Sequence, residues 1–192
     1  MRRLSDIAEI TIVATPKVEG LGVSYLRLGN IVAGQIVGEA SDGPPPMKGH
    51  DSRLQPGDIL VRGRGPDLSA AVVDACLAGA FPTIELYVVR VDPARVDPAY
   101  VVAYINQPLV QAELAQAAQG TGFVRLNRPT LASLAIPLPP LAEQRRIGSL
   151  ARDAQREASI LNEIAECNRQ LHSEWLRLAI AAPSTTPDRI SA

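Results

Sequence analysis

Leu134-Ala-Ile-Pro-Leu-Pro-Pro-Leu-Ala-Glu-Gln-Arg-Arg-Ile-Gly-Ser-Leu150 divides the chain into two kinds of structure. Up to Leu138 it is short and apolar, and Pro137, Pro139 and Pro140 forbid a continuous helix, because each lacks an N–H and restricts the residue before it. After Pro140 no proline occurs until Pro183. An extended segment therefore enters a prolyl hinge and a long helix leaves it, with Pro140 at the first helical position and Glu143 in the first turn, where a negative charge suits the helix dipole.

Downstream, an apolar heptad runs through Ile147, Leu150, Ala154, Leu161, Ile164, Asn168, Leu171, Trp175 and Leu178, interrupted at Glu157. Spacings alternating between three and four are those of a coiled coil. About 40 residues of helix span about 60 Å, too long a stripe for a small domain to cover, so a partner helix is expected. Asn168 at an a position has two readings: it fixes the register of two paired helices, or it is exposed near a fraying end. The tail from about residue 182, with Pro183-Ser-Thr-Thr-Pro187, is expected to be disordered.

Upstream, β-branched and apolar runs are separated by Gly and Pro. Leu4–Val13 begins polar and becomes the β-branched run Ile10-Thr-Ile-Val13, a first strand after a short lead-in; further strands are expected over Val23–Leu28, Ile31–Val37 (with Gly34 a bulge or turn), Ile59–Arg62, Ala70–Ala75, Thr83–Val91 and Phe123–Leu126. In Thr83–Val91, Ile84, Leu86 and Val88 alternate with Glu85 and Tyr87. Residues 38–53 form a long loop. Asp97-Pro-Ala-Tyr100 opens a helix that runs to about Ala118 with an interruption at Pro108, and Asn127 or Thr130 caps a short helical turn before the hinge. Strands come in runs rather than in βαβ alternation. The fold class is thus α+β, with a mainly antiparallel or mixed sheet over residues 1–138, a long helix over 139–181 and a tail over 182–192.

The 192 residues suffice for one domain with a core plus an appendage, and 46% apolar residues with only 4% aromatics imply a core of Val, Ile, Leu and Ala. No apolar run approaches the roughly 20 residues that cross a bilayer, and Met1-Arg-Arg-Leu-Ser-Asp lacks the apolar core of a signal peptide. No membrane association and a cytoplasmic location are expected. Cys76 and Cys167 have no metal spacing and read as small packing residues. A net charge of −1 and a pI near 6.1 count against a strongly basic nucleic-acid binder, although affinity depends on where Lys and Arg lie.

Catalytic motifs are missing from the sequence. Gly63-Arg-Gly65 and Gly120-Thr-Gly122 lack the third glycine of a dinucleotide site and the lysine of a Walker loop, and turn geometry accounts for both. His50 beside Asp51, and His172, have no third ligand at metal spacing. There is no G-x-S-x-G elbow. Leucine precedes Pro139-Pro140, so that pair cannot supply the polar group with which a methyltransferase holds a flipped adenine.

The hinge also carries a family resemblance. Pro137-Leu-Pro-Pro-Leu-Ala-Glu-Gln-Arg-Arg-Ile147 resembles the signature that closes a target-recognition domain, and opens a spacer helix, in the specificity subunits of type I restriction–modification systems. Tyr25-Leu-Arg-Leu-Gly-Asn-Ile31, Leu54-Gln-Pro-Gly-Asp-Ile-Leu-Val-Arg62 and Gly120-Thr-Gly-Phe-Val-Arg-Leu-Asn127 resemble further pieces of such a domain, in the same order. Full-length members have two domains and two helices packed as an antiparallel coiled coil; this chain has one of each. The resemblance implies a non-catalytic, half-length specificity subunit that acts as a homodimer and reads a half-site on double-stranded DNA. It implies docking to an adenine methyltransferase subunit that holds S-adenosylmethionine, with a restriction ATPase as a further candidate partner. No cofactor is expected in this chain. Candidate DNA contacts, on strand ends and in glycine-rich loops, are Arg27, Asn30, Lys48, Arg53, Arg62, Arg64, Thr121, Arg125 and Asn127. The alternatives are an adaptor, or decayed fragment, that binds the methyltransferase without reading DNA, and an enzyme with an unrecognised site.

Overall fold

A computed structural model describes residues 1–12, 22–32, 34–43, 53–65, 67–118 and 125–181. The expected turn at 16–22 (but for Gly22), most of the loop at 38–53, Lys48, His50, Asp51, the turn at 120–122 with Thr121, and the tail from 182 lie outside these residues. The chain forms two compact units, Met1–Asp153 and one beginning at Ala154.

The first unit is built on a four-stranded antiparallel sheet, ordered β2 (Ala8–Ile12), β10 (Leu86–Val91), β7 (Ile59–Arg62), β8 (Ala70–Val72). A second sheet places β3 (Val23–Leu26) between β6 (Ser41–Gly43), antiparallel, and β9 (Phe81–Pro82), parallel. Two small pairs complete it: β1 (Arg2–Arg3) with β11 (Ala135–Ile136), and β4 (Ile31–Val32) with β5 (Gln35–Ile36). The architecture is α+β with a mixed set of strand pairings.

Burial explains where sequence periodicity misleads. Alternation in Thr83–Val91 suggested one solvated face, yet Leu86, Tyr87, Val88 and Val89 are all buried. β10 is a central strand between two cores. Tyr87, Val89 and Val91 join a core with Ile10, Ile59, Val61, Val101, Ile105, Leu126 and Ile136, while Leu86 and Val88 join another with Leu26, Ile31, Leu54 and Leu60. A strand covered on both faces loses the polar alternation of a half-exposed one. Ile84, the first of the alternating apolar residues, is 59% exposed in the turn before β10.

Several expected strands are shorter or split. The expected lead-in contains a 3-10 turn, Leu4–Asp6, between β1 and β2. Ile31–Val37 doubles back as the β4–β5 hairpin at Gly34, whose φ of 79° lies in the left-handed region that glycine tolerates. Cys76 and Cys167 are both exposed rather than packed: Cys76 lies in a 3-10 turn after β8 and Cys167 on the long helix.

Helices α1 (Pro98–Ile105) and α2 (Pro108–Ala117) each start with proline, and Asp97 caps α1 by accepting from Tyr100 N at 2.9 Å. Asn106 and Gln111, at and beyond the break between them, act as a surrogate strand for β8. Asn106 accepts from Ala70 N and donates to Ala70 O, at 2.8 and 2.9 Å; Gln111 does the same for Leu68, at 3.0 and 3.2 Å. An open sheet edge invites pairing with other chains, and these two amides close it.

The hinge and the long helix α4 (Leu141–Ala181) follow the sequence closely. Pro140 lies one residue earlier than expected, as the cap whose carbonyl accepts from Glu143 N and Gln144 N. Carbonyls of the prolyl segment find side-chain donors instead of a ladder: Tyr104 Oη donates to Ala135 O at 2.9 Å, Tyr100 Oη to Pro137 O at 2.6 Å, and Gln144 Nε2 to Pro139 O at 2.8 Å. Unpaired buried carbonyls would be costly. Gln144 is only 2% exposed and also accepts from Asp97 N at 3.1 Å. Ile147 packs against the core of this unit. That removes it from the stripe offered to a second helix.

In the second unit, α4 continues from Ala154 to Ala181 with Leu161, Ile164, Leu171, Trp175 and Leu178 all more than half exposed. Arg169 pairs with Glu166 and Arg177 with Glu174, three residues apart along the helix. Among the described residues, no helix is long and apolar enough to cross a membrane.

Candidate nucleic-acid interface

Register sorts the loops of the four-stranded sheet into two ends. At one, Ala8 pairs with Val91 and Ile59 with Val89, and the turn at Gln55–Asp58 adjoins. At the other, Tyr87 pairs with Ile12, Leu86 with Arg62 and Val61 with Ala70. The second end gathers most of the described candidate contacts.

Gly63 is its keystone. Its N–H donates to Glu85 O at 2.8 Å and its carbonyl accepts from Leu126 N at 2.9 Å. A Cβ there would lie 2.9 Å from Glu85 O and 3.0 Å from the Tyr87 ring, so only glycine lets the three segments meet. Arg64 then forms an isolated antiparallel bridge with Arg125. Tyr87 Oη donates to Leu126 O at 2.7 Å. Burial pushes the Tyr87 hydroxyl pKa up, and the charges of Arg125 and Arg128 oppose that rise. Both arginines therefore lie within electrostatic reach of this corner.

Arg64 is 55% exposed at its side chain and pairs with Glu85, which is 25% exposed. Arg125 and Arg128 are exposed. Arg128 is absent from the sequence-based candidates. It opens α3 (Arg128–Ser133), where a cation meets unpaired N–H groups and gains nothing from the helix; this mismatch was a readable signal of some other use. Arg27 follows β3, whose Leu26 O accepts from Thr83 N at 2.9 Å. It is exposed, and its backbone adjoins the turn at 83–85 that leads into β10.

Three other candidates spend side-chain polar atoms on structure. Asn30 Oδ1 accepts from Arg27 N at 2.8 Å, and its Nδ2 donates to Val37 O and Glu39 O at 2.9 and 3.2 Å, closing the β4–β5 hairpin. Arg62, 13% exposed at its side chain, bonds Asp67 Oδ2 at 2.9 Å and Ile31 O at 3.2 Å, tying the Gly63–Ser69 loop to β4. Asn127 caps α3 by accepting from Thr130 N at 2.8 Å, so Asn127 rather than Thr130 is the cap. Arg53, exposed, lies with its Cζ 5.8 Å from the centroid of the Phe81 ring, and its carbonyl accepts from Arg90.

Residues 87–166 match a family described as the type I restriction modification DNA specificity domain. Among solved structures, the chain is similar to one reported under the structural basis of complex assembly and conformational transition of the type I R-M system. The TM-score is 0.65 and the identity 22%, over 93% of this chain and 43% of that one. It is also similar to the HsdS subunit from Thermoanaerobacter tengcongensis, with a TM-score of 0.57 and 22% identity over 84% of this chain and 38% of that one. A third is the type I restriction-modification S subunit from M. genitalium, at a TM-score of 0.56 and 17% identity, over 91% and 43% of the two chains. At these identities the likeness is one of fold. The chain spans less than half the length of each of these proteins. No curated protein sequence matches it.

Proposed function

We propose, from the match of residues 87–166 to a type I restriction modification DNA specificity domain, that the chain reads one half-site on double-stranded DNA without catalysing a reaction itself. It docks an adenine methyltransferase subunit, which supplies S-adenosylmethionine and the chemistry; a restriction ATPase is a further partner. The observation that carries this reading is the specificity-domain match, joined to a fold likeness over 93% of the chain. The exposed corner of Arg64, Arg125, Arg128 and Arg27 is the surface assigned to DNA, with Arg53, Lys48 and Thr121 as further contacts. Mapping methylated adenines in DNA exposed to the chain plus its methyltransferase tests the role. Methyl transfer by the purified chain alone would overturn it.

Arg125→Ala is expected to weaken duplex binding and make its salt dependence shallower by roughly one unit, as for a phosphate contact. Arg64→Ala is expected to relax preference at one base pair, at a cost of about 1–3 kcal/mol. Filter binding at several salt concentrations separates the two. Unchanged affinity in both variants favours the adaptor reading, which draws on the pI near 6.1 and on the structural use of Asn30, Arg62 and Asn127.

The chain acts as a two-fold homodimer through α4, with the helices antiparallel. The exposed Leu161, Ile164, Leu171, Trp175 and Leu178 need a cover, and a second copy carries the same stripe. Identical domains related by a dyad read identical half-sites, so the target is an inverted repeat with an unread spacer. Leu161→Asp with Leu171→Asp is expected to give a monomer by sedimentation while the first unit stays folded. Asn168→Leu is expected to strengthen association and admit other registers. A wild-type monomer at micromolar concentration, or an asymmetric methylation map from this chain as sole specificity subunit, would count against the dimer.

A further inference from the structure

The pairing of Arg64 with Glu85 is more than a surface contact. Exposed pairs ordinarily cost entropy to hold and add little, but here both backbones are fixed in advance. Gly63, next to Arg64, is clamped to Glu85 O and Leu126 N. On the other side Gly65 sits at a φ of 116°, and a Cβ there would lie 3.0 Å from Arg62 Nη2. The bridge from Arg64 to Arg125 holds the loop from a third direction. Glu85 is likewise held, one residue before β10 and with its carbonyl bonded to Gly63. Arg64 therefore meets a carboxylate that the fold places beside it. Asp67, the other acid of this loop, is already engaged by Arg62 and Ser69.

We propose that Glu85 is a specificity-determining latch: it occupies the Arg64 guanidinium in the free protein and yields it only to a DNA acceptor that binds better than a lone phosphate. This rests on the DNA-reading role proposed above. An exposed arginine contacts phosphate on any sequence and raises non-specific affinity. An arginine held by a carboxylate must exchange one strong acceptor for another, so a single phosphate oxygen gains little. A phosphate, itself an anion able to meet the fork with two oxygens, at best replaces the carboxylate like for like, whereas a guanine edge offers O6 and N7 at a position in the groove fixed by the sequence. Arg125 and Arg128 are left to hold phosphate, while Arg64 is kept from doing so indiscriminately. In sequence, Glu85 reads as a polar position in the alternation of Thr83–Val91, because Arg64 is distant from it along the chain and meets it only in the fold.

The test uses the full chain and a random-sequence duplex, titrated at several salt concentrations, with circular dichroism confirming the fold. Glu85→Gln keeps the side-chain volume and removes the charge; Glu85→Ala removes the acceptor as well. Both are expected to tighten binding to the random duplex several-fold and to steepen its salt slope by about one unit. Arg64→Ala combined with Glu85→Gln is expected to behave as Arg64→Ala alone, since the gain flows through that arginine. Affinity and slope unchanged in both Glu85 variants, while Arg125→Ala still weakens binding, would overturn the latch and leave the DNA-reading role standing. Equal tightening in the Arg64→Ala background would overturn the pairing in favour of a general charge effect. No salt-dependent duplex binding by any form would overturn the DNA-reading role and the latch with it.

Discussion

Asp58→Ala is expected to destabilise the first unit by about 2–4 kcal/mol, read as a lower urea midpoint with an unchanged slope. Asp58 is 2% exposed and its carboxylate satisfies three donors. Arg90 Nε and Nη2 each approach it at 2.7 Å, in the two-pronged geometry that makes such pairs strong, and Gln55 N donates at 2.8 Å to close the turn before β7. Removing the acid takes the carboxylate away from an arginine on the central strand and leaves a part-buried N–H without its acceptor. Breaking a buried pair from one side ordinarily costs about 3–5 kcal/mol. Arg90 is 38% exposed and can recover some hydration, which lowers the expectation. Asp58→Asn, which keeps an acceptor for Gln55, should fall between wild type and alanine. A loss below about 1 kcal/mol would mean that the turn holds without the pair.

Gly148→Leu is expected to cost a similar amount, and Gly148→Ala tests the sign. In an exposed helix interior, replacing glycine by alanine stabilises by about 1 kcal/mol. At Gly148 a Cβ would lie 2.6 Å from Asp97 Oδ1, 2.9 Å from Tyr100 N and 3.1 Å from Ala99 Cβ. Asp97 could swing aside only by giving up its cap on α1, worth about 1 kcal/mol, and the Tyr100 backbone cannot move without shifting a helix whose Val101 and Ile105 are fully buried. Overpacking of this kind costs about 1–3 kcal/mol. The clash exceeds the propensity gain, so alanine should destabilise by about 1–2 kcal/mol and leucine by about 3 kcal/mol. A stabilised Gly148→Ala would show that the contact between α4 and α1 is looser than these distances imply.

Gly148 and Gln144 also show how far the sequence could be read. Their neighbours, Pro139, Pro140 and Glu143, act through local backbone chemistry, which is why the hinge and the helix after it were legible. Gln144 and Gly148 matter through residues 95–100, and nothing in their immediate surroundings records that. Asn106 and Gln111 are the same case: helical neighbours do not reveal that their amides will pair with Ala70 and Leu68. The alternation in β10 failed for a related reason, since a second core covers the face that polar residues would otherwise mark. At the candidate interface, glycine-rich loops and strand ends led to Arg64 and Arg125. The same rule also led to Arg62, whose partners Asp67 and Ile31 are fixed only when β4 and β7 meet. Whether an arginine near a loop is a strut or a contact depends on its acceptors, and these are set by tertiary structure.

The pairing of β1 with β11, Arg2 opposite Ile136 and Arg3 opposite Ala135, has a consequence for how such a domain can be exchanged. The chain enters and leaves the globular part at neighbouring points, so residues 4–134 form a closed excursion from a two-residue splice. A segment with adjacent ends can be replaced by another of different length and content without changing the gap that the flanking chain must bridge. A graft between two proteins of this build would have to preserve that splice and bring its own counterpart of the Asp97–Tyr100 turn, against which Gln144 and Gly148 seat. Everything between could be new. In evolutionary terms, the surface carried between Arg3 and Ala135 can be traded as a cassette while the helix beyond it stays the same.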